Sequence, residues 1–64
     1  MTQADKILDY IDRNGFITDA QAASEFDCYR LGARIYDLRK RGVPIITEKA
    51  RSKKGRVYAR YRRG

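Results

Sequence analysis

Apolar residues recur with a helical period over the first part of the chain. They follow the spacing i, i+3, i+4 and i+7 and are Ala4, Ile7, Leu8 and Ile11. This spacing places them on one side of an α-helix. Thr2 and Asp5 have the separation of a capping box, which predicts that the helix begins there. Asn14 and Gly15 are typical of a helix end.

A second helix is predicted over residues 19–25. Thr18 and Gln21 form another capping box, and the helix is rich in small side chains that let a neighbouring helix approach closely. Between the two helices, Phe16 and Ile17 are too few for a full strand. We expect them to form a short extended segment that pairs at the edge of a small sheet.

A third helix of about 13 residues is predicted to end at Arg41, with Asp27 as its N-cap and Gly42 closing it. Its apolar stripe consists of Cys28, Leu31, Ile35 and Leu38. At ~100° per residue the other side carries Tyr29, Arg30, Ala33, Tyr36, Asp37 and Lys40. Two tyrosines on an exposed face favour a surface that contacts a partner.

After Gly42 the pattern changes from a period of 3.6 to a period of 2. Pro44 is tolerated at the start of a strand, so residues 43–49 read as a strand. Residues 56–61 alternate cleanly and read as a second strand. The intervening residues 50–55 are polar and basic and end in glycine, which is typical of a hairpin loop.

A chain of 64 residues is one domain at most. We assign residues 1–61 to it and residues 62–64 to a flexible basic tail.

Cys28 is the only cysteine and there is no histidine, which excludes an internal disulfide and a zinc site. The commonest general base is also missing, so we expect no enzymatic activity, no catalytic residues and no cofactor. No apolar run is long enough to span a membrane, and the expected location is the cytoplasm.

Charge is divided unevenly along the chain, whose net charge is +7. Residues 1–29 hold two Lys or Arg against six Asp or Glu, a net of −4. Residues 30–64 hold 13 against two, a net of +11. Such a molecule presents its second half to a polyanion, and nucleic acid is the leading candidate.

The order of these elements is that of a winged helix-turn-helix, an α+β fold of three helices followed by a two-stranded β-hairpin wing. The third helix would enter the major groove of B-DNA, where side chains near its N-terminus meet base edges. The basic hairpin loop would reach a phosphate or the minor groove. We therefore expect double-stranded DNA as the partner and no small-molecule substrate.

The sequence also resembles a family of small helix-turn-helix proteins, many of them encoded by bacteriophages and prophages. The most specific part of the likeness covers residues 30–42, and weaker segments extend it over residues 7–61. The resemblance implies a winged-helix fold and sequence-directed DNA binding, with phage regulation as the setting. Asp27 stands where glycine is common in the family, and Tyr29 where a small hydroxyl residue is expected.

The predicted DNA contacts lie on the third helix and in the hairpin loop. They are Tyr29, Arg30, Ala33, Arg34, Asp37, Lys40, Arg51, Lys53, Lys54 and Arg56. Arg30 is the better candidate for a base edge, and Arg34, beside the buried stripe, for a phosphate.

Two other classes of function remain open from the sequence. The chain would be a protein-interaction module if its exposed tyrosines and basic loop gripped a host protein such as a polymerase or nuclease. It would also fit an RNA-binding module. A DNA-binding protein of this size would gain affinity as a homodimer or a cooperative assembly on DNA.

Overall fold

The computed structural model describes residues 2–64, which form three helices and one small antiparallel sheet. The elements in chain order are α1 (Gln3–Asn14), β1 (Ile17–Thr18), α2 (Asp19–Phe26), α3 (Leu31–Lys40), β2 (Ile45–Arg51) and β3 (Val57–Arg63). Within the sheet the strand order is β1-β3-β2.

Both predicted capping boxes are present. The Thr2 hydroxyl accepts from the backbone N–H of Asp5, and the Asp5 carboxylate accepts from the backbone N–H of Thr2. Thr18 and Gln21 make the same reciprocal pair at the start of α2. These contacts satisfy backbone donors that a helix N-terminus would otherwise leave free, which is why α1 and α2 begin where the sequence predicts.

The prediction that Asp27 begins the third helix is wrong. Asp27 instead ends α2, with a left-handed backbone of φ 51° and its N–H donated to the carbonyl of Ala23. Asp tolerates this conformation better than most residues, and glycine is the residue that most often adopts it. The chain then needs residues 28–30 to turn, and α3 begins only at Leu31.

One apolar cluster joins the helices to the sheet. Its ten buried members are Ala4, Ile7, Ile11, Ile17, Ala22, Cys28, Leu31, Ile35, Leu38 and Ile45. The predicted stripes of the first and third helices lie in this cluster, although Leu8 is only partly buried at its margin. All three helices therefore share a single core with β1 and β2.

The sheet has three strands rather than the two of the predicted hairpin. Ile17 pairs with Tyr61 and Thr18 pairs with Arg60, so β1 joins the edge of β3. The expected short extended segment is thus present, displaced by one residue. β2 and β3 pair along their full lengths of seven residues each.

Residues 62 and 63 do not form a tail. They continue β3, and Ile45 pairs with Arg63 at the end of the ladder. The Arg63 guanidinium also contacts the carboxylate of Asp12 on α1 at 2.9 Å. Pairing with β2 and this ion pair hold the end of the strand against the domain.

The end of α3 is tied directly to β2. Gly42 adopts a φ of 90°, and the next N–H, that of Val43, is donated to the carbonyl of Leu38. The Arg39 guanidinium then donates to the carbonyl of Ile45 and to the Thr47 hydroxyl, at 2.9 and 3.0 Å respectively from one nitrogen. These bonds fix the hairpin relative to α3.

Replacing Leu38 by Ala should destabilise the protein by about 2–5 kcal/mol, because Leu38 is fully buried where α3 meets the rest of the core. This is comparable with the whole stability of a small domain. The matched control is Ile46→Ala, which truncates an aliphatic side chain that is 40% exposed. Urea unfolding followed by circular dichroism should show a much larger loss for Leu38→Ala, and equal losses would contradict the core assignment.

Candidate nucleic-acid interface

The side of α3 that faces away from the core is exposed and carries aromatic and basic groups. Tyr36 is 58% exposed, and Tyr29, just before the helix, is 81% exposed. The ammonium group of Lys40 lies 5.3 Å from the centre of the Tyr36 ring, a cation–π contact. Ala33, on the same side, leaves room for a partner to approach the helix closely.

The first turn of α3 carries no acidic side chain of its own. Arg30 occupies the N-cap position and makes no side-chain capping bond. Arg30 is exposed and has no acidic partner among residues 2–64. The exposed Arg30 guanidinium is therefore suited to donate hydrogen bonds to a negatively charged group or to an acceptor atom on the edge of a base.

Arg34 and Asp37 form a pair on one flank of α3, with 3.4 Å between the guanidinium nitrogen and the carboxylate oxygen. Both side chains are part-exposed. The pair lowers the charge that Arg34 offers to a phosphate, while it keeps the guanidinium in one place. Arg34 therefore has a carboxylate partner, whereas Arg30 has none in residues 2–64.

The hairpin between β2 and β3 is closed by a short, well-bonded turn. The N–H of Gly55 donates to the carbonyl of Ser52, and the N–H of Ser52 donates to the carbonyl of Arg56. Gly55 has a φ of 85°, which is the conformation that such a three-residue loop requires. The exposed cations around this turn, which we call the wing cluster, are Arg51, Lys53, Lys54 and Arg56.

The basic residues fall into two groups. Six arginines contact a carboxylate within 4.0 Å, namely Arg13, Arg34, Arg41, Arg60, Arg62 and Arg63. Five of the six are on α1, at the end of α3 or on β3, away from the start of α3 and from the turn. By contrast, nine basic residues have no carboxylate partner in residues 2–64, and they are Lys6, Arg30, Arg39, Lys40, Lys49 and the four members of the wing cluster. The uncompensated charge is therefore concentrated on α3 and the wing.

The ion pairs also change the acidity of the carboxylates. The hydrogen bond from Arg62 lowers the pKa of Glu48, with a further contribution from the charge of Arg60. The Thr2 hydroxyl lowers the pKa of Asp5, followed by the Thr2 backbone N–H and the Arg41 guanidinium. These carboxylates remain ionised to lower pH than usual, so they go on compensating their arginines.

Lys49 and Tyr36 belong to this surface, although neither was among the predicted contacts. Lys49 and Arg51 are two residues apart on β2, so both point to the face of the sheet on which the helices pack. The strand predicted from the sequence ends at residue 49 and leaves Arg51 in the loop. The prediction therefore missed that Lys49 and Arg51 lie on the same face of β2. Tyr36 was recognised as exposed, but its contact with Lys40 depends on the i, i+4 geometry of α3.

The fold agrees with a comparison against protein families, in which the model for the winged helix-turn-helix domain matches residues 2–63. The chain belongs to the winged helix-turn-helix domain family. Neither a curated protein nor a solved structure matches it significantly. The winged helix is typically a non-enzymatic DNA-binding fold, in which the second helix of the helix-turn-helix reads the major groove. By its place in the chain, α3 is the second helix of the helix-turn-helix here.

None of the helices in residues 2–64 of the winged helix has the length and hydropathy needed to cross a membrane.

Replacing Glu48 by Gln should weaken the fold in a pH-dependent way. The pKa of Glu48 is lowered from its ordinary value of 4.5, so its ionised form stabilises the fold above that pH. The stabilisation is lost as the pH falls through the lowered pKa. We expect the variant to unfold at a lower urea concentration than the parent at neutral pH, and the two midpoints to converge in acid. The control is Glu25→Gln, at an exposed residue without an ion pair. If the urea midpoint of Glu48→Gln stays below that of the parent in acid, the ionised Glu48 carboxylate is not what stabilises the fold.

Proposed function

We propose that this winged helix is a non-enzymatic regulator that binds double-stranded DNA. In this proposal α3 enters the major groove, and the wing cluster contacts the adjacent backbone or the minor groove. Tyr29, Arg30, Ala33, Asp37 and Lys40 face the groove on or near the exposed side of α3, and Arg34 reaches a phosphate from its flank.

The observation that carries the proposal is the separation of paired and unpaired cations. Six arginines, five of them on α1, at the end of α3 or on β3, are compensated by carboxylates, whereas Arg30, Lys40 and the wing cluster have no carboxylate partner within residues 2–64. Phosphate oxygens supply the missing negative charge at regular spacing along a duplex. The exposed tyrosines and the small residues of α3 add surface suited to contacts within a groove.

The mechanism we propose is occupancy of a DNA site. A bound protein represses or activates a promoter, or bends DNA as an excisionase-like architectural factor. The resemblance to small phage and prophage proteins supports a phage setting.

The core uses most of the apolar residues, so we propose that any homodimer or cooperative assembly forms on DNA, where neighbouring sites raise the effective concentration.

Replacing Lys53 and Lys54 together by Ala should weaken binding to specific and random duplexes alike. The two ammonium groups contact phosphates in this proposal, so the slope of log K against log salt should fall by about one to two units. The melting temperature should hardly change, because both side chains are exposed. Fluorescence anisotropy with labelled duplex at several salt concentrations measures the slope.

The matched control replaces Lys6 and Arg13 by Ala. This pair also removes two cations, but from exposed positions on α1. It should leave the salt slope close to that of the parent. Equal effects of the two double variants would show that only net charge matters, and an absence of duplex binding by the parent would overturn the proposed function. Single-stranded and duplex RNA in the same assay test the RNA alternative.

Arg30→Ala should weaken binding to a selected cognate site by about 1–3 kcal/mol more than binding to random duplex, because Arg30 is proposed to read a base edge. Arg34→Ala should weaken both by a similar amount, as expected for a phosphate contact. The cognate site is first enriched from a random duplex library. The assignment of Arg30 fails if its replacement lowers both affinities equally.

A further inference from the structure

The backbone conformation at Gly32 does not require a glycine. Gly15, Gly42 and Gly55 adopt φ angles between 85° and 93°, in the region that favours glycine. Gly32 instead lies within α3, directly after the first residue of the helix, and its φ is not positive. Glycine is the least stable residue in a helix interior apart from proline. Local structure therefore gives no reason for a glycine at this position.

The packing around Gly32 does not require a glycine either. Gly32 is exposed. A Cβ atom at this position would lie more than 4 Å from every side chain of residues 2–64 except those of its two neighbours in the chain. The ring of Tyr36, one turn later in α3, is among the groups that it would not reach. An alanine would therefore fit here and stabilise the helix.

The flank of α3 that carries Gly32 is the one that faces the hairpin. At ~100° per residue, Gly32 and Arg39 lie about 20° apart around the helix axis, because seven residues complete almost two turns. The Arg39 guanidinium reaches the Thr47 hydroxyl of β2 at 3.0 Å. Lys49 and Arg51 follow on the same face of β2, and neither has a carboxylate partner in residues 2–64. Gly32 and these two cations therefore border the space between α3 and the hairpin.

The dimensions of the major groove give this flank a role in the proposed complex. An α-helix with its side chains is about 10–12 Å across, and the major groove of B-DNA is about 12 Å wide. A helix in the groove therefore has a sugar–phosphate backbone close to each flank. Arg34 is about 160° from Gly32 around the helix axis, on the opposite flank, where we propose that it reaches one backbone. Gly32 leaves room for the other backbone on the side of the hairpin.

We infer that a sugar–phosphate backbone of the duplex comes into van der Waals contact with the main chain of α3 at Gly32. This backbone passes between α3 and the hairpin, where Lys49 and Arg51 neutralise its phosphates. A side chain at position 32 would hold the helix away from the floor of the groove. The inference rests on the proposed function and deepens it, because it adds a contact that depends on a missing side chain rather than on a charge.

The test compares Gly32→Ala and Gly32→Leu in the full chain. Gly32→Ala should raise the melting temperature by about 2–8 °C, because alanine favours the helix and nothing in the fold opposes its methyl group. Fluorescence anisotropy with a selected cognate duplex should nevertheless show weaker binding. The expected loss is at least about fivefold for Gly32→Ala and at least about fiftyfold for Gly32→Leu, because the larger side chain separates the two surfaces further.

The comparison of the two variants also tests whether Gly32 serves to loosen the start of α3. Alanine and leucine are both good helix formers, so a loss of mobility would weaken binding equally in the two variants. A steric contact predicts a loss that grows with the size of the side chain.

The matched control is Ala20→Leu. Ala20 is the second residue of α2, as Gly32 is the second residue of α3, and it is also exposed. The control adds the same bulky side chain at an equivalent helix position outside the proposed DNA surface. It should bind the duplex as the parent does.

Nuclear Overhauser effects provide a direct measurement in the unaltered protein. With ¹³C-labelled protein and an unlabelled cognate duplex, isotope-filtered spectra should connect the Hα protons of Gly32 to deoxyribose protons. This measurement decides the inference if a variant does not fold.

Five results would each overturn the inference. They are parent-like binding by Gly32→Leu, equal losses for Gly32→Ala and Gly32→Leu, an equal loss for Ala20→Leu, a lower melting temperature for Gly32→Ala, and no Overhauser effect between Gly32 and deoxyribose. A parent that binds no duplex overturns the proposed function and this inference together. A parent that binds duplex while Gly32→Leu binds it equally well overturns this inference alone.

Discussion

A single small core holds α3 and the hairpin in one arrangement. Leu31, Ile35 and Leu38 of α3 are buried in the same cluster as Ile7 of α1 and Ile45 of β2, so α3 cannot rotate without opening the core. A chain of this size has no second core to compensate. The buried side chains of α3 therefore determine which of its residues face the solvent. Arg39 also fixes the position of the hairpin relative to α3, because its guanidinium donates to the Ile45 carbonyl and the Thr47 hydroxyl.

The distribution of charge follows from the same arrangement. The acidic residues of α1 lie close to the ends of α3 and β3, where Asp5 contacts Arg41 and Asp12 contacts Arg63. Glu48 compensates two arginines on the outer face of the sheet. The acidic first half of the chain thus neutralises part of the basic second half within the fold. Most of the positive charge that remains lies on α3 and at the turn.

Local signals made much of this fold predictable. Capping boxes, the stripe of α3 and the alternation of β3 depend on residues a few positions apart, and each is present. Asp27 was misread because a residue of its type can cap the start of a helix or end one in a left-handed conformation, and the choice depends on packing around Cys28. Pairing of β1 with β3 joins residues more than 40 positions apart, and the ion pair of Asp12 with Arg63 spans 51. No local pattern encodes either. The sequence therefore predicted a short edge segment near Ile17 but not its partner strand, and it did not predict the pairing of residues 62 and 63.

The most direct test of this account is a map of the DNA-contacting surface by NMR. A short duplex of mixed sequence is added at low salt to ¹⁵N-labelled protein, and the shift of every amide is followed. We expect the largest changes to fall on residues 29–40 and 51–56, with little change at Lys6, Asp9 and Arg13 on α1. Changes centred on α1, or on the outer face of the sheet around Arg60 and Arg62, would contradict it.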